Sequence, residues 1–226
     1  MRTPATIFQI NGEVVIIDPR RDCEIYVKLA KDDCSEIRYI FETHRNEDYV
    51  IGSMELQDKT GAEICHSKEA PFTYGEYNLS DEDSFKIGRL KIESIYTPGH
   101  TIDSMCFSVY DTWSNGEPIL VFTGDTLFIG DVGRTDLPGL DIWEGMSEML
   151  YDSLHEKVLT LGDGVLLYPS HTAGSICGSL ISDREMSTIG YEAKTSPQLK
   201  LDREEFVKDR LDNKMLRPPC FRRMED

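Results

Sequence analysis

The chain has 226 residues, 39% of them apolar, which suits one fairly large domain, or a domain with an extension, whose core needs no disulfide staples. Its 41 acidic against 24 basic side chains give a formal charge of −17, which repels phosphate backbones and anionic membranes and fits solubility or a salty habitat, while one local Arg or Lys can still hold a small anion. No apolar run nears the ~20 residues of a membrane helix, no signal segment is visible, and the six cysteines are scattered without a C-x-x-C, so a cytoplasmic protein with reduced, structural thiols is expected.

Two short apolar runs, 5–10 and 13–17, flank Asn11-Gly12, a hairpin signal because both turn positions favour positive φ. Residues 22–34 carry Ile25, Leu29 and Ala30 at helical spacing, with Asp22 placed to cap the start. A strand over 36–42 leads into His44, and 49–60 reads as a helix stopped by Gly61. Residues 62–65 form a short strand, and 67–83 are polar, aromatic and irregular. Paired strands are expected at 85–90 with 91–96 around Gly88, and at 104–110 with 119–122. The glycine-rich stretch 130–141 is a loop. Residues 142–159 form an amphipathic helix on Ile142, Met146, Met149, Leu150, Leu154 and Val158, and 165–168 is a last strand. Beyond Ser182 the pattern supports one helix, 202–212, capped by Asp202, then a linker-like stretch at 216–224. The predicted architecture is α+β, an αββα sandwich of two mixed sheets flanked by helices, with a domain over 1–181 and an extension over 182–226.

Four strand-like runs end in a metal-competent side chain: Phe41-Glu-Thr-His44, Ile95-Tyr-Thr-Pro-Gly-His100, Val121-Phe-Thr-Gly-Asp125 and Leu166-Leu-Tyr-Pro-Ser-His171. Three of the five histidines share this setting; His66 and His155 lack it, and His155 is read as structural. His44, His100 and Asp125 supply two imidazoles and one carboxylate, the facial triad of non-haem iron(II) oxygenases, whereas three histidines with water would favour zinc.

On these motifs the chain resembles metallo-β-lactamase-fold proteins over nearly its whole length. Thr43-His44, Asp48, His100, Asp125 and His171 match the family's T-H-x-H-x-D-H, its lone His, its Gly-Asp and its final His. Asn46 and Tyr49 stand where a binuclear zinc hydrolase such as glyoxalase II has two further histidines, so the resemblance implies that neither zinc site is complete. Within the superfamily the chain is similar to persulfide dioxygenases, through Phe122-Thr-Gly-Asp125, Gly133-Arg-Thr-Asp136, Leu154-His-Glu-Lys-Val158, Tyr168-Pro-Ser-His171 and Glu204-Glu-Phe-Val-Lys208.

That resemblance implies one Fe(II) per chain on His44, His100 and Asp125, with Zn(II) as the alternative. Asp48, His171 and Tyr49 would act beside it, orienting a ligand or a bound water. Arg134 and Tyr168 would contact substrate, Arg134 by pairing with a carboxylate of a glutathione persulfide-like molecule. The implied reaction oxidises the outer sulfur of a small thiol persulfide with dioxygen to sulfite. Ala173-Gly-Ser-Ile-Cys-Gly178 and Thr188-Ile-Gly-Tyr191 resemble the branch fused to a rhodanese sulfurtransferase, which implies such a domain or partner. No nucleic acid or membrane partner is expected, and a homodimer is left open. Ile102-Asp103 replaces the commoner Pro-Gly after His100 and implies a different loop shape there. Two other readings stand beside this one: a thioester hydrolase using one zinc or iron ion, and a non-catalytic domain that binds metal or persulfide.

Overall fold

The computed structural model describes residues 6–46, 48–114, 116–184 and 186–217. Its first sheet runs β1 (Thr6–Ile10), β2 (Glu13–Ile17), β3 (Glu36–Phe41), β4 (Glu63–Ser67) and β5 (Tyr77–Leu79), in that spatial order. Asn11 and Gly12, at φ 52° and 81°, turn β1 antiparallel onto β2, a conformation these two residue types tolerate. The other neighbours in this sheet are parallel; α1 (Glu24–Asp32) joins β2 to β3, α2 (Ser53–Thr60) joins β3 to β4, and residues 68–76 join β4 to β5. Two expected starts are corrected. Asp22 does not cap α1: it takes a bond from Arg20 Nη2 at 2.7 Å, and Cys23 begins the helix without a side-chain cap. Helix α2 starts at Ser53 rather than 49, because Gly52 N is bonded to Pro19 O at 2.7 Å and Ile51 bridges Arg20. The strand β5 lies inside the stretch expected to be irregular.

The second sheet has the order β11-β10-β9-β8-β7-β6, from β6 (Ser84–Ile87), β7 (Leu90–Tyr96), β8 (Met105–Asp111), β9 (Leu120–Gly124), β10 (Leu166–Pro169) and β11 (Ser187–Thr188). Only β9 and β10 are parallel within it, which requires the long crossover that carries α3 (Trp143–Asp152). The predicted helix continues past α3 as a π-helical turn, Ser153–Val158, and a short 3₁₀ turn, Leu159–Leu161. Among the described residues beyond 182 there are two α-helices, not one: α4 (Ile189–Thr195), capped by Thr188, and α5 (Arg203–Asp212), held by a reciprocal Asp202–Glu205 capping box. At seven residues α4 is too short to show a periodic stripe. The linker-like stretch lies outside the described residues from Pro218 onward.

Period-two alternation sorts each strand's side chains between layers. Val15, Ile17 and Phe41 of the first sheet meet Ile92, Met105, Phe107 and Phe122 of the second in the central core. Ile16, Ile40 and Ile64 face outward onto Tyr26, Ala30 and Leu56. Cys106, Val121 and Leu167 face the other way, onto Leu150, Leu154, Ile189 and Phe206, so residues of α4 and α5 help close the outer core. Each such side chain contributes roughly 1.5–3 kcal/mol on burial. The result is two mixed sheets with flanking helices, and the C-terminal ends of β3, β7, β9 and β10 carry the candidate ligands. No described helix is long and apolar enough to cross a membrane.

Candidate metal centre

His44, His100 and Asp125 are buried, and one donor atom from each lies within 4.8 Å of the others. Nε2 of His44 and Nε2 of His100 stand 3.9 and 3.4 Å from Asp125 Oδ2. Atoms bound about 2.1 Å from one ion stand about 3 Å apart when adjacent, so small closing movements suffice. Nε2 of His100 and Oδ2 of Asp125 are buried without a hydrogen-bond partner, an arrangement that costs about 1–3 kcal/mol per group unless something fills it.

The ring orientations are fixed from behind. His100 Nδ1 donates to Arg134 O at 2.8 Å, and since a carbonyl only accepts, Nε2 keeps its lone pair for the site. Thr43 Oγ1 donates to Asp18 Oδ2 at 2.7 Å and so accepts from His44 Nδ1 at 2.9 Å, which leaves Nε2 as the lone-pair nitrogen. Asp18 also accepts from Thr43 N at 2.8 Å and Ser170 Oγ at 2.8 Å. Gly124, at φ 52°, lets the Asp125 strand end approach Thr43, whose Oγ1 would lie 2.7 Å from an added Cβ.

The charges are set by burial and by each other. Burial, reinforced by His44 and His171, pushes His100 down to about 4 against the pull of Asp125, so its ring is neutral near pH 7. Burial opposes the charge on Asp125, but His171, His44 and His100 outweigh it and hold the carboxyl well below the usual range. Burial would likewise lower His171, yet Asp125 and Asp48 raise it to about 10. His171 Nδ1 meets Asp125 Oδ1 at 2.7 Å, and Nε2 lies 2.8 Å from Asp48 Oδ2. Burial raises the Asp18 carboxyl, opposed by His44 and the bonds from Thr43 and Ser170.

The remaining predicted residues divide. Asn46 turns its amide back onto His44 O at 3.1 Å. Tyr49 sits 6.5 Å ring to ring from His171 with its hydroxyl buried and unpartnered, and burial with Asp18, Asp48 and Asp125 raises that phenol well above its ordinary value. The sequence reading made Arg134 a substrate-carboxylate contact. The structure instead buries it against Asp136, through Nε–Oδ1 at 2.7 Å and Nη2–Oδ2 at 2.9 Å, and turns its other donors to the carbonyls of Ile176, Met215 and Leu216. Its link to the site is its own carbonyl, under His100. Tyr168 packs on Phe122 at 5.8 Å, its hydroxyl 3.3 Å from Met186 Sδ. His66 is bonded to Tyr74 O at 2.7 Å and His155 stacks on Tyr151 at 4.1 Å, both outside the cluster.

Three residues escaped the sequence reading. Asp18 follows the end of β2 and accepts from the Thr43 hydroxyl behind His44. Asp103 accepts from Arg45 N at 2.7 Å and ties the His100 loop to the His44 loop, which gives the Ile102-Asp103 departure a positioning role. Cys177, read as structural, places Sγ 3.9 Å from Asp48 Oδ2 and groups with Asp48 and His171 within 4.8 Å. Its only signal was its place six residues after His171.

The sequence profile of the metallo-beta-lactamase superfamily matches residues 2–171. Persulfide dioxygenase ETHE1, mitochondrial, of Bos taurus is 32% identical over 205 residues, covering 88% of this chain and 71% of that protein. Hydroxyacylglutathione hydrolase GloC of Haemophilus influenzae is 28% identical over 225 residues, covering 87% and 95%. Among solved structures, a metallo-beta-lactamase from Staphylococcus aureus superposes with a TM-score of 0.86 at 28% identity, over 95% of this chain and 64% of that one, so this chain spans just under two thirds of its length. ETHE1 from Myxococcus xanthus superposes with a TM-score of 0.81 at 25% identity, over 96% and 88%. The chain therefore belongs to the metallo-β-lactamase superfamily, where its likeness is to the persulfide dioxygenase branch.

Proposed function

We propose that the chain is a persulfide dioxygenase that holds one iron(II) ion on His44, His100 and Asp125 and oxidises the outer sulfur of a small thiol persulfide, such as glutathione persulfide, to sulfite. The observation that carries this reading is the donor set: two imidazole nitrogens and one carboxylate oxygen, all buried, with His100 Nε2 and Asp125 Oδ2 lacking any other partner. Two His with one carboxylate fits iron(II) and leaves positions open. When bound, that ion would supply the redox chemistry toward dioxygen and an anchor for a sulfur anion, which zinc cannot match because it has no redox chemistry.

The protein's part is positional. Arg134 O and Thr43 Oγ1 fix the two rings by their Nδ1 atoms. His171 keeps a proton on Nδ1 against Asp125 Oδ1, which turns Oδ2 toward the other histidines. The burial of all four side chains excludes bulk water from the ligands. Overall, R-S-SH, dioxygen and water give R-SH and sulfite, the latter after loss of its protons. A rhodanese sulfurtransferase domain or partner belongs to the same proposal, supported by the likeness of residues 173–178 to that fused branch.

Anaerobic purification with metal analysis, then oxygen uptake with glutathione persulfide, tests the reading. Iron with oxygen consumption and sulfite release is expected; zinc alone, no oxygen use and cleavage of a glutathione thioester would overturn it. That outcome is the second reading, a thioester hydrolase, which the similarity to GloC and the placing of His171 between Asp48 and Asp125 support.

A further inference from the structure

Resting on the reading of the first centre as a site for a small thiol derivative, we infer that Arg45 and Arg217 form an anion-binding subsite beside it. Together they set a preference for thiols that carry a carboxylate remote from the sulfur. The guanidinium expected to meet a carboxylate, that of Arg134, is closed by Asp136 and three backbone carbonyls. A chain of formal charge −17 repels an anion at a distance, so an anionic substrate needs cations close to where it docks. A cavity of about 390 Å³ lies against the two loops that carry the histidine ligands. Its lining includes Arg45, next to His44, and Thr101 and Asp103, just after His100. Leu137 and Pro138 supply apolar wall, and Arg217 comes in from the tail. Small-molecule sites commonly measure about 300–1,000 Å³, with apolar walls and a few placed polar groups.

Packing around the cavity explains why both arginines are there. Asp103 Oδ2 accepts from Arg45 N at 2.7 Å, which fixes the Arg45 backbone. The half-buried Arg45 guanidinium makes no hydrogen bond or ion pair among the described residues. Arg134 donates to Met215 O at 3.3 Å and Leu216 O at 3.2 Å, and so delivers the next residue, Arg217, to the cavity. The residue expected to pair with a carboxylate thus places another that can. Two guanidiniums against the single carboxylate of Asp103 leave the lining net positive, and the fork of donors on each matches the two oxygens of a carboxylate. The reach fits as well. His44 and Arg45 are adjacent, with Cα atoms about 3.8 Å apart, and a tripeptide-sized thiol spans roughly 10 Å, so one small molecule can meet both the first centre and Arg45.

Calorimetric binding of glutathione and of its diethyl ester to the metal-loaded full chain, under anaerobic conditions, tests the subsite. The two probes share the thiol and the skeleton and differ at the two carboxylates. The wild-type chain is expected to bind glutathione about 10- to 100-fold more tightly than the ester, the worth of a charge-assisted contact. Arg45→Gln should remove most of that ratio without weakening the ester. Arg217→Gln, on the exposed tail, should lower the ratio too, and it decides the matter if Arg45→Gln fails to fold. Equal affinities in the wild type, no binding of either probe, or a ratio that survives either substitution in a folded chain overturns the subsite. Discrimination without oxygen uptake would sink only the dioxygenase reading, whereas oxygen uptake equally efficient with glutathione persulfide and its diester would sink only the subsite.

Discussion

Gly133→Ala is the sharpest probe of how the metal centre is clamped. A Cβ on Gly133 would lie 2.0 Å from the carbonyl oxygen of Asp125 and 3.2 Å from Cβ of His100. A carbon meets an oxygen without strain at about 3.3 Å, so one side must move by about 1 Å. Neither is free to do so. Gly133 N reaches Thr126 O at 3.4 Å, Arg134 N reaches Cys177 O at 3.3 Å, and Arg134 O receives His100 Nδ1 at 2.8 Å. Overpacking of this kind costs roughly 1–3 kcal/mol. Displacing the carbonyl behind a ligating histidine lowers metal affinity about 10- to 100-fold. Urea unfolding of the metal-free protein gives the first number, and a competitive chelator titration gives the second. Gly145→Ala is the matched control: it lies in α3 with nothing within 4 Å of the added carbon, so a gain of roughly 0.5–1 kcal/mol is expected. If Gly133→Ala unfolds within 0.5 kcal/mol of wild type, on the scale of an ordinary surface change, and binds metal equally well, the 130–136 loop is not the clamp described here.

Other perturbations follow from the same contacts. Thr43→Val removes the hydroxyl between Asp18 and His44; a loss of about 1–3 kcal/mol and a weaker first site are expected, and unchanged metal affinity would sever Asp18 from the centre. Arg134→Met leaves the Asp136 carboxylate buried and unpaired, which costs about 3–5 kcal/mol; a raised KM at unchanged stability would show instead that the guanidinium reaches substrate. Glu42, buried and bonded to Tyr74, is pushed up to about 7 by that burial, so the folded state holds a proton that the unfolded chain has released by pH 7. Stability should therefore be greatest below about pH 4.5 as far as this group is concerned, and fall by up to roughly 3 kcal/mol as pH rises through about 7. Glu42→Gln should flatten that slope in unfolding measured across the range; an unaltered slope would assign it elsewhere.

What was legible in the sequence was local. The ligand-bearing strand ends could be read because a strand's alternation, a tight turn and a ligand sit within six residues, as in Ile95-Tyr-Thr-Pro-Gly-His100. The elements that escaped were short: three residues in β5, two in β11 and seven in α4, each formed because a neighbour was already there to pair with or pack on. The site residues that escaped act over distance. Ser170 and Asp18 are 152 positions apart, and Cys177 and Asp48 are 129. Arg134 is instructive because its partner Asp136 is only two residues on. Its fate was still hidden, since the donors that Asp136 leaves over go to carbonyls of residues 176, 215 and 216, and a guanidinium with every edge engaged has nothing left for a ligand.

Tyr49 carries the same reasoning to the site itself. Its identity states that one nitrogen donor is missing from the motif. It does not state what stands around that place in the folded chain. His171 meets Asp48 at 2.8 Å and Asp125 at 2.7 Å, and the Tyr49 ring stands 6.5 Å from the His171 ring with its hydroxyl buried and unpartnered. A phenol there adds bulk and no lone-pair nitrogen. The first stretch of the motif therefore determines one side of the centre, and the contacts that orient His171 come from residues far along the chain.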